Sequence, residues 1–254
     1  MLSRFQKAGL IAVVALLVAA ASATALRLTV GDVLVVTDGG FTPTTLPKHG
    51  YGPIKLHGYG KISTTDGKTP PILETLTLWF DKHGEVVTTG LPVCTSGKLA
   101  ATTPAVARKN CKGAIVGQGY GTAVVNFPEQ QPIMASSPIT LFNGPRKHGN
   151  PTVLAHAYLS VPAPTTYIVP VEIQRVHDGR YGFKTEAKIP KIAGGAGTPL
   201  YGRLKIGREW NYKGKRLSYA NAGCADGHLQ GKGEFKFKGG TVLEGTLVKG
   251  CVGK

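Results

Sequence analysis

An all-β fold, an antiparallel β-sandwich or jelly-roll-like packing of short strands, follows from three properties of this 254-residue sequence. Apolar residues recur at every second position in several short segments, the pattern of strands with one face in a core and one in solvent. Turn pairs that supply positive φ angles for tight hairpins break the chain repeatedly, among them Asp38-Gly39-Gly40, Asp66-Gly67, Asp178-Gly179, Asp226-Gly227 and Gly239-Gly240. With 35 glycines and 17 prolines, long helices have little room. A dozen or so such strands pack naturally as layers around a core.

The chain opens with Arg4 and Lys7, then the apolar run Ala8–Ala20, then the small triplet Ala23-Thr24-Ala25. That order is the layout of a secretory signal peptide spanning 1–25, cleaved after Ala25 so that the mature protein is extracellular. The rival reading is an uncleaved anchor, which calls for about 20 apolar residues. Only such an uncleaved segment would hold the chain in a membrane, since no second apolar run of that length follows. Residues 26–254 read as a single β-rich secreted domain, with a possible two-lobed division near 144–152, where turn formers crowd Asn143–Pro151.

Along the mature region, Leu76, Leu78 and Phe80 alternate with Thr75, Thr77 and Trp79. One short helix is expected near 103–109, with Thr103 as N-cap and Pro104 as first helical residue. Tyr181, Phe183, Thr185, Ala187 and Ile189 alternate with Gly182, Lys184, Glu186 and Lys188. Leu204 and Ile206 alternate with Arg203 and Lys205, and Phe235 and Phe237 with Glu234, Lys236 and Lys238. In each segment the apolar set is assigned to the core. His228 to Val248 reads as a hairpin turning at Lys238–Thr241.

The four cysteines, Cys94, Cys111, Cys224 and Cys251, are an even number in a chain expected to be exported, so a disulfide framework is the default. Of three possible pairings, proximity in sequence favours Cys94–Cys111 and Cys224–Cys251. A catalytic reading of Cys224 with His228 competes with this, but nucleophile and base normally meet in space rather than along the chain.

The net charge is +16, and removal of Arg4 and Lys7 leaves +14 against fourteen acidic residues. Such an excess attracts polyanions at long range, although it also serves plain solubility. Alternation puts Lys184, Lys188, Arg203, Lys205, Lys236 and Lys238 on outward sheet faces, which makes these six the polyanion-binding set. Anionic envelope polymers or polysaccharide are the expected partners, with no specific nucleic acid recognition.

Gly117-Gln118-Gly119-Tyr120-Gly121 leads into the strand-like Thr122–Phe127 rather than a helix, so a phosphate-cradling loop is not supported. No Gly-x-Ser-x-Gly, Ser-x-x-Lys or His-Glu-x-x-His pattern occurs in the mature region. Glu172, Asp178, Glu186 and Glu209 are the candidate carboxylates for glycosidic chemistry, which needs two of them paired across the fold. His-Gly-Tyr-Gly occurs at His49–Gly52 and again at His57–Gly60, and Tyr-Gly recurs at 120, 181 and 201. Two readings of these pairs stand: outward rings as platforms for sugars, or aromatics covering bare strand glycines. A metal shared by His49 and His57 would need a chain reversal at Gly52-Pro53, because eight extended residues span roughly 26 Å. No cofactor is implied.

Gly90-Leu91-Pro92-Val93-Cys94, Ala114–Gly119 after Cys111, Leu141-Phe142-Asn143-Gly144, Ile189–Gly195 and Tyr219–Cys224 together resemble a group of secreted two-disulfide β-proteins of high-GC Gram-positive bacteria. The resemblance implies export and paired cysteines, and it brings no activity, cofactor or catalytic residue. The function expected is therefore that of a basic, non-catalytic exported protein associating with anionic envelope or extracellular polymers. The alternative is a secreted hydrolase of a polysaccharide or cell-wall polymer.

Overall fold

The computed structural model describes residues 25–254, so the expected signal segment lies outside the described residues apart from Ala25. The strands in chain order are β1 (Leu26–Val30), β2 (Val33–Thr42), β3 (Thr45–Leu46), β4 (Gly52–Pro53), β5 (Lys55–Thr64), β6 (Leu73–Asp81) and β7 (Gly84–Val86). Helices α1 (Ser96–Leu99) and α2 (Pro104–Asn110) come next. There follow β8 (Ile115–Val125), β9 (Ile133–Lys147), β10 (Asn150–Leu159), β11 (Thr165–Asp178), β12 (Tyr181–Lys188) and β13 (Gly197–Ile206). The chain finishes with β14 (Glu209–Tyr212), β15 (Lys215–Ser218), β16 (Ala220–Ala222), β17 (His228–Phe237), β18 (Val242–Gly250) and β19 (Val252–Gly253).

Twelve of these strands form one antiparallel sheet in the order β1-β2-β5-β13-β8-β9-β10-β11-β12-β6-β17-β18. The all-β class is as expected, and the facing layers are two halves of one sheet that curls almost into a barrel. At the seam β18 lies against β1, so closely that a Cβ on Gly245 would fall 2.5 Å from Leu26 Cδ2. Beyond the end of β1, Lys249 of β18 pairs with Asp38 of β2 at 2.7 Å. The C-terminal β19 adds a parallel pairing to β3. Residues 144–152 run through the β9–β10 hairpin within this continuous sheet.

Alternation fills the interior. Phe41, Leu141, Val153, Ile173, Phe183 and Leu229 from six strands meet in one buried cluster, and Val35, Ile62, Phe235, Phe237 and Leu243 in a second. Burying each such side chain stabilises by roughly 1.5–3 kcal/mol, which is why a period-two pattern suffices to select this face. Tight coiling of the sheet needs interior glycines. A Cβ on Gly117 or Gly119 would sit 2.5 or 2.1 Å from a carbonyl oxygen of β13, a separation no larger residue tolerates.

The Cys94–Cys111 disulfide encloses both helices and lays them on the outer surface of β9 and β10, where they bury Phe142 and Leu154. The expected helix is α2, with Pro104 in its first turn; α1 is a further single turn ahead of it. Thr103 takes the N-cap conformation, but its hydroxyl makes no capping bond. Cys224–Cys251 is the second disulfide, leaving no free cysteine. The hairpin of β17 and β18 turns between Phe237 and Val242 as expected.

Tyr181 departs from its assigned side. The pairing of β12 with β6 slips between Tyr181 and Phe183, which leaves Gly182 unopposed and puts Tyr181 opposite Asp81. The ring thus joins Trp79 on the outer surface, with Lys232 Nζ 5.9 Å from its centroid. Thr77 and Trp79 are themselves buried although they face outward. The stems of Lys184 and Lys232 cover the indole, their ammonium groups 5.2 and 4.1 Å from a ring centroid.

Candidate polyanion-binding face

The five lysines and one arginine of the expected binding set divide between two outer walls. Lys184, Lys188 and Lys236 lie on β12 and β17, and Lys238 lies in the turn that follows β17. Arg203 and Lys205 lie on β13, six places from β6 in a twelve-stranded sheet that nearly closes. Gly60 of β5 looks across the interior at Phe235 of β17, 3.9 Å from the position of a Cβ, so the outer surfaces behind them point opposite ways. The two groups therefore do not form one binding surface.

The wall of β12, β6 and β17 largely neutralises itself. Successive outward rows read Lys184–Trp79–Lys232, Glu186–Thr77–Glu234 and Lys188–Thr75–Lys236, with Glu244 of β18 continuing the middle row. Four lysines thus meet three glutamates, and Lys232 already pairs with Glu244 at 3.4 Å.

The opposite wall is different. Its outward rows on β5, β13 and β8 read His57–Lys205–Gln118, Tyr59–Arg203–Tyr120 and Lys61–Tyr201–Thr122. Lys55 extends the β5 column by one step. This grid carries no carboxylate, and among the described residues Lys55, Lys61, Arg203 and Lys205 have no ion-pair partner. The nearest acid, Asp38, stands beside Tyr59 on β2. Its charge is engaged by Lys249 at 2.7 Å and by the Gly39 N–H at 2.8 Å. Burial pushes the Asp38 carboxyl up, but those two donors and the neighbouring positive charges outweigh it and hold it below the usual range.

Within the grid the aromatic rings are ordered. Tyr59 and Tyr201 lie with centroids 6.3 Å apart and planes tilted by 32°. The Arg203 guanidinium sits 5.9 Å over the Tyr120 ring, a contact that fixes its direction on the surface. Lys55, His57, Tyr59 and Lys61 were missed as a group by sequence reasoning, although they stand at a period of two along β5. Lys232 was missed as well, at the corresponding position of β17.

The tyrosine-glycine pairs are resolved residue by residue. At 59–60, 120–121 and 201–202 the ring points outward and the glycine inward, so the ring does not cover its own glycine. Gly60 and Gly121 are met from inside by Phe235 and by Ile139. Covering does occur elsewhere: the His57 imidazole lies 3.3 Å from the Cβ position of Gly40, and the Tyr212 ring lies against Gly90. The two His-Gly-Tyr-Gly copies are not equivalent, since His49 and Tyr51 precede β4 in a connection while His57 and Tyr59 lie on β5.

The remaining polar groups serve the fold. Cys224 is in a disulfide and buried, so it is not a nucleophile for His228. Glu172 accepts from Asn150 at 2.7 Å and Glu209 from Arg216 at 2.5 Å. Glu186 stands on the neutralised wall, and Asp178 lies at the β11–β12 turn. These four carboxylates are not gathered in one place. A hollow of about 310 Å³ beside that turn is lined by Tyr51, Lys82, Glu85, Arg175, His177 and Tyr181, with Glu85 its one carboxylate. No group of three or more His, Cys, Asp or Glu residues arranged to hold a metal occurs among the described residues. No helix among them is long and apolar enough to cross a membrane. No family model, no curated protein and no solved structure matches the chain.

Proposed function

We propose that this protein is an exported, non-catalytic binder of anionic polymers of the cell envelope or its surroundings, acting through the outer face of β5, β13 and β8. The observation that carries this reading is the contrast between the two walls. One wall interleaves its lysine rows with a row of glutamates, Lys232 pairing with Glu244, while the other sets Lys55, Lys61, Arg203 and Lys205 in a grid without carboxylates. Unpaired cations on a rigid sheet have no internal ion pair to break when an external anion arrives, and their fields add along the face. Two disulfides fit an oxidising compartment and hence the exported state.

The test is co-sedimentation of the purified, disulfide-bonded protein with isolated cell envelope over a salt series. Retention is expected at low salt, fading smoothly as salt screens the surface charges. The triple variant Lys61→Ala/Arg203→Ala/Lys205→Ala should lose it, whereas Lys188→Ala/Lys236→Ala on the opposite wall should keep it. No retention by the unaltered protein at any salt would sink the proposal. Release of soluble fragments from the envelope would instead favour the hydrolase alternative.

A further inference from the structure

Three tyrosine rings on the binding face have no packing task that explains their outward placement. Their neighbouring glycines face the interior, where Phe235 and Ile139 approach Gly60 and Gly121, and a Cβ on Gly202 would meet nothing within 4 Å. Tyr59 is 37% exposed, in the middle of a charged sheet face. Polar groups surround the rings: Gln118 and Thr122 on β8, His57 on β5, and the tyrosine hydroxyls themselves.

We infer that the polymer taken by this face is an acidic polysaccharide, with sugar rings lying on Tyr59 and Tyr201 and acidic substituents meeting Arg203, Lys61 and Lys205. This inference rests on the polyanion reading above and narrows it to one ligand chemistry. Tyr59 and Tyr201, with centroids 6.3 Å apart and planes 32° from parallel, together offer a shelf of aromatic surface larger than a single ring. Their apolar faces suit the C–H faces of sugars, much as aromatic surfaces take other flat partners. A chain laid across the strands meets Tyr59, Arg203 and Tyr120 in turn at about 4.8 Å per strand, so ring and charge alternate along its path. The surrounding amide and hydroxyl groups offer hydrogen bonds that a polysaccharide returns along its whole length. An inorganic polyphosphate has neither apolar faces for the shelf nor hydroxyls for its rim.

The experiment compares binding of the disulfide-bonded protein to polygalacturonate, inorganic polyphosphate and single-stranded DNA at one fixed salt concentration. For Tyr59→Ala/Tyr201→Ala, affinity for polygalacturonate should fall about tenfold while affinity for polyphosphate changes less than about twofold. Tyr59→Trp/Tyr201→Trp, which restores flat apolar rings, should recover polygalacturonate binding, and far-ultraviolet circular dichroism and a cooperative urea transition should be native-like in both variants. Equal losses for both polymers in the alanine variant would overturn the carbohydrate inference and leave the polyanion reading standing. Failure of the tryptophan variant to recover binding, with its fold intact, would also overturn the inference. DNA binding tighter than polygalacturonate binding, with the same dependence on the tyrosines, would assign the shelf to bases and overturn it too. No binding of the unaltered protein to any of the three would overturn both readings.

Discussion

Arg180 Nε donates to Asp81 Oδ2 at 2.6 Å, tying the β11–β12 turn to the end of β6 through a carboxylate that is 5% exposed. Asp81 also accepts from the backbone N–H groups of His83 and Gln230, and lies 2.9 Å from His83 Nδ1. Arg180 reaches onward to Asp226 and to the His228 carbonyl. Asp226 and, secondarily, Asp81 hold the guanidinium's pKa above its ordinary value. The arrangement joins three chain segments and leaves neither the guanidinium nor the buried carboxylate short of partners.

Arg180→Met therefore removes the counter-ion of a buried charge while keeping much of the side-chain volume. The expected loss is about 3 kcal/mol, most of it the cost of stranding Asp81 rather than the worth of the pair itself. A lower midpoint of urea unfolding with an unchanged slope checks this. An unchanged midpoint would mean that Asp81 is sufficiently served by its remaining donors.

His156 makes a pH prediction. It is fully buried on the outer side of β10, with Nε2 3.1 Å from both the Thr102 carbonyl and hydroxyl oxygens. Its Nδ1 has no partner, so a second N–H has nothing to donate to. Burial pushes the imidazole's pKa down, helped by the nearby charge of Arg108 and opposed by the Thr102 carbonyl. A histidine kept neutral in this way contributes stability that is complete above its unfolded pKa of about 6.5 and declines as pH falls below it. The thermal midpoint should drop between pH 7 and pH 5, and His156→Gln should flatten that drop. An identical slope in the variant would place the sensitivity elsewhere.

The sequence made the strand pattern legible because one buried face writes itself as a period of two, and β12, β13 and β17 all carry that period. It left the strand neighbours open, because the order depends on which edges meet after the sheet curls. That is why alternation alone groups Lys188 with Arg203, alike in sequence context, although they stand on opposite walls. The basic and aromatic column of β5 was readable from Lys55, His57, Tyr59 and Lys61, but its inner positions include Gly58 and Gly60. Without apolar residues at those positions, the hydrophobic alternation that marks the other strands is weak. Tyr181 escaped for a different reason: a single unopposed residue, Gly182, inverts the side taken by what precedes it.

The two disulfides should differ in what they protect. Closing loops with sequence separations of 17 and 27 corresponds to about 3 and 3.5 kcal/mol in the chain-entropy estimate. Cys94→Ala/Cys111→Ala should loosen α1 and α2 and expose Phe142 and Leu154, leaving the seam intact. Cys224→Ala/Cys251→Ala should instead free β19 from β3, next to the Lys249–Asp38 pair. Hydrogen exchange resolved by segment distinguishes these outcomes, with protection lost over 96–114 in the first variant and over 45–48 and 251–254 in the second. Loss at the same segments in both variants would show that the two regions open together.

Two glycines on adjacent strands give the sharpest test of how the binding face is built. A Cβ on Gly119 would lie 2.1 Å from the Arg203 carbonyl oxygen and 2.5 Å from Leu204 Cδ2, whereas one on Gly202 would meet nothing within 4 Å. Gly119→Ala must push β8 away from β13, against hydrogen bonds on both sides of the contact, at an expected cost of about 2–3 kcal/mol. The same shift carries Tyr120 away from the Arg203 guanidinium that rests on it, so the outer grid loses its order along with its stability. Gly202→Ala should be neutral within about 0.5 kcal/mol, or slightly favourable through the reduced freedom of the unfolded chain. Urea midpoints and polygalacturonate binding measured on both variants decide the matter. A Gly119→Ala protein as stable as Gly202→Ala would mean that the close approach of β8 to β13 does not govern the curvature of this wall.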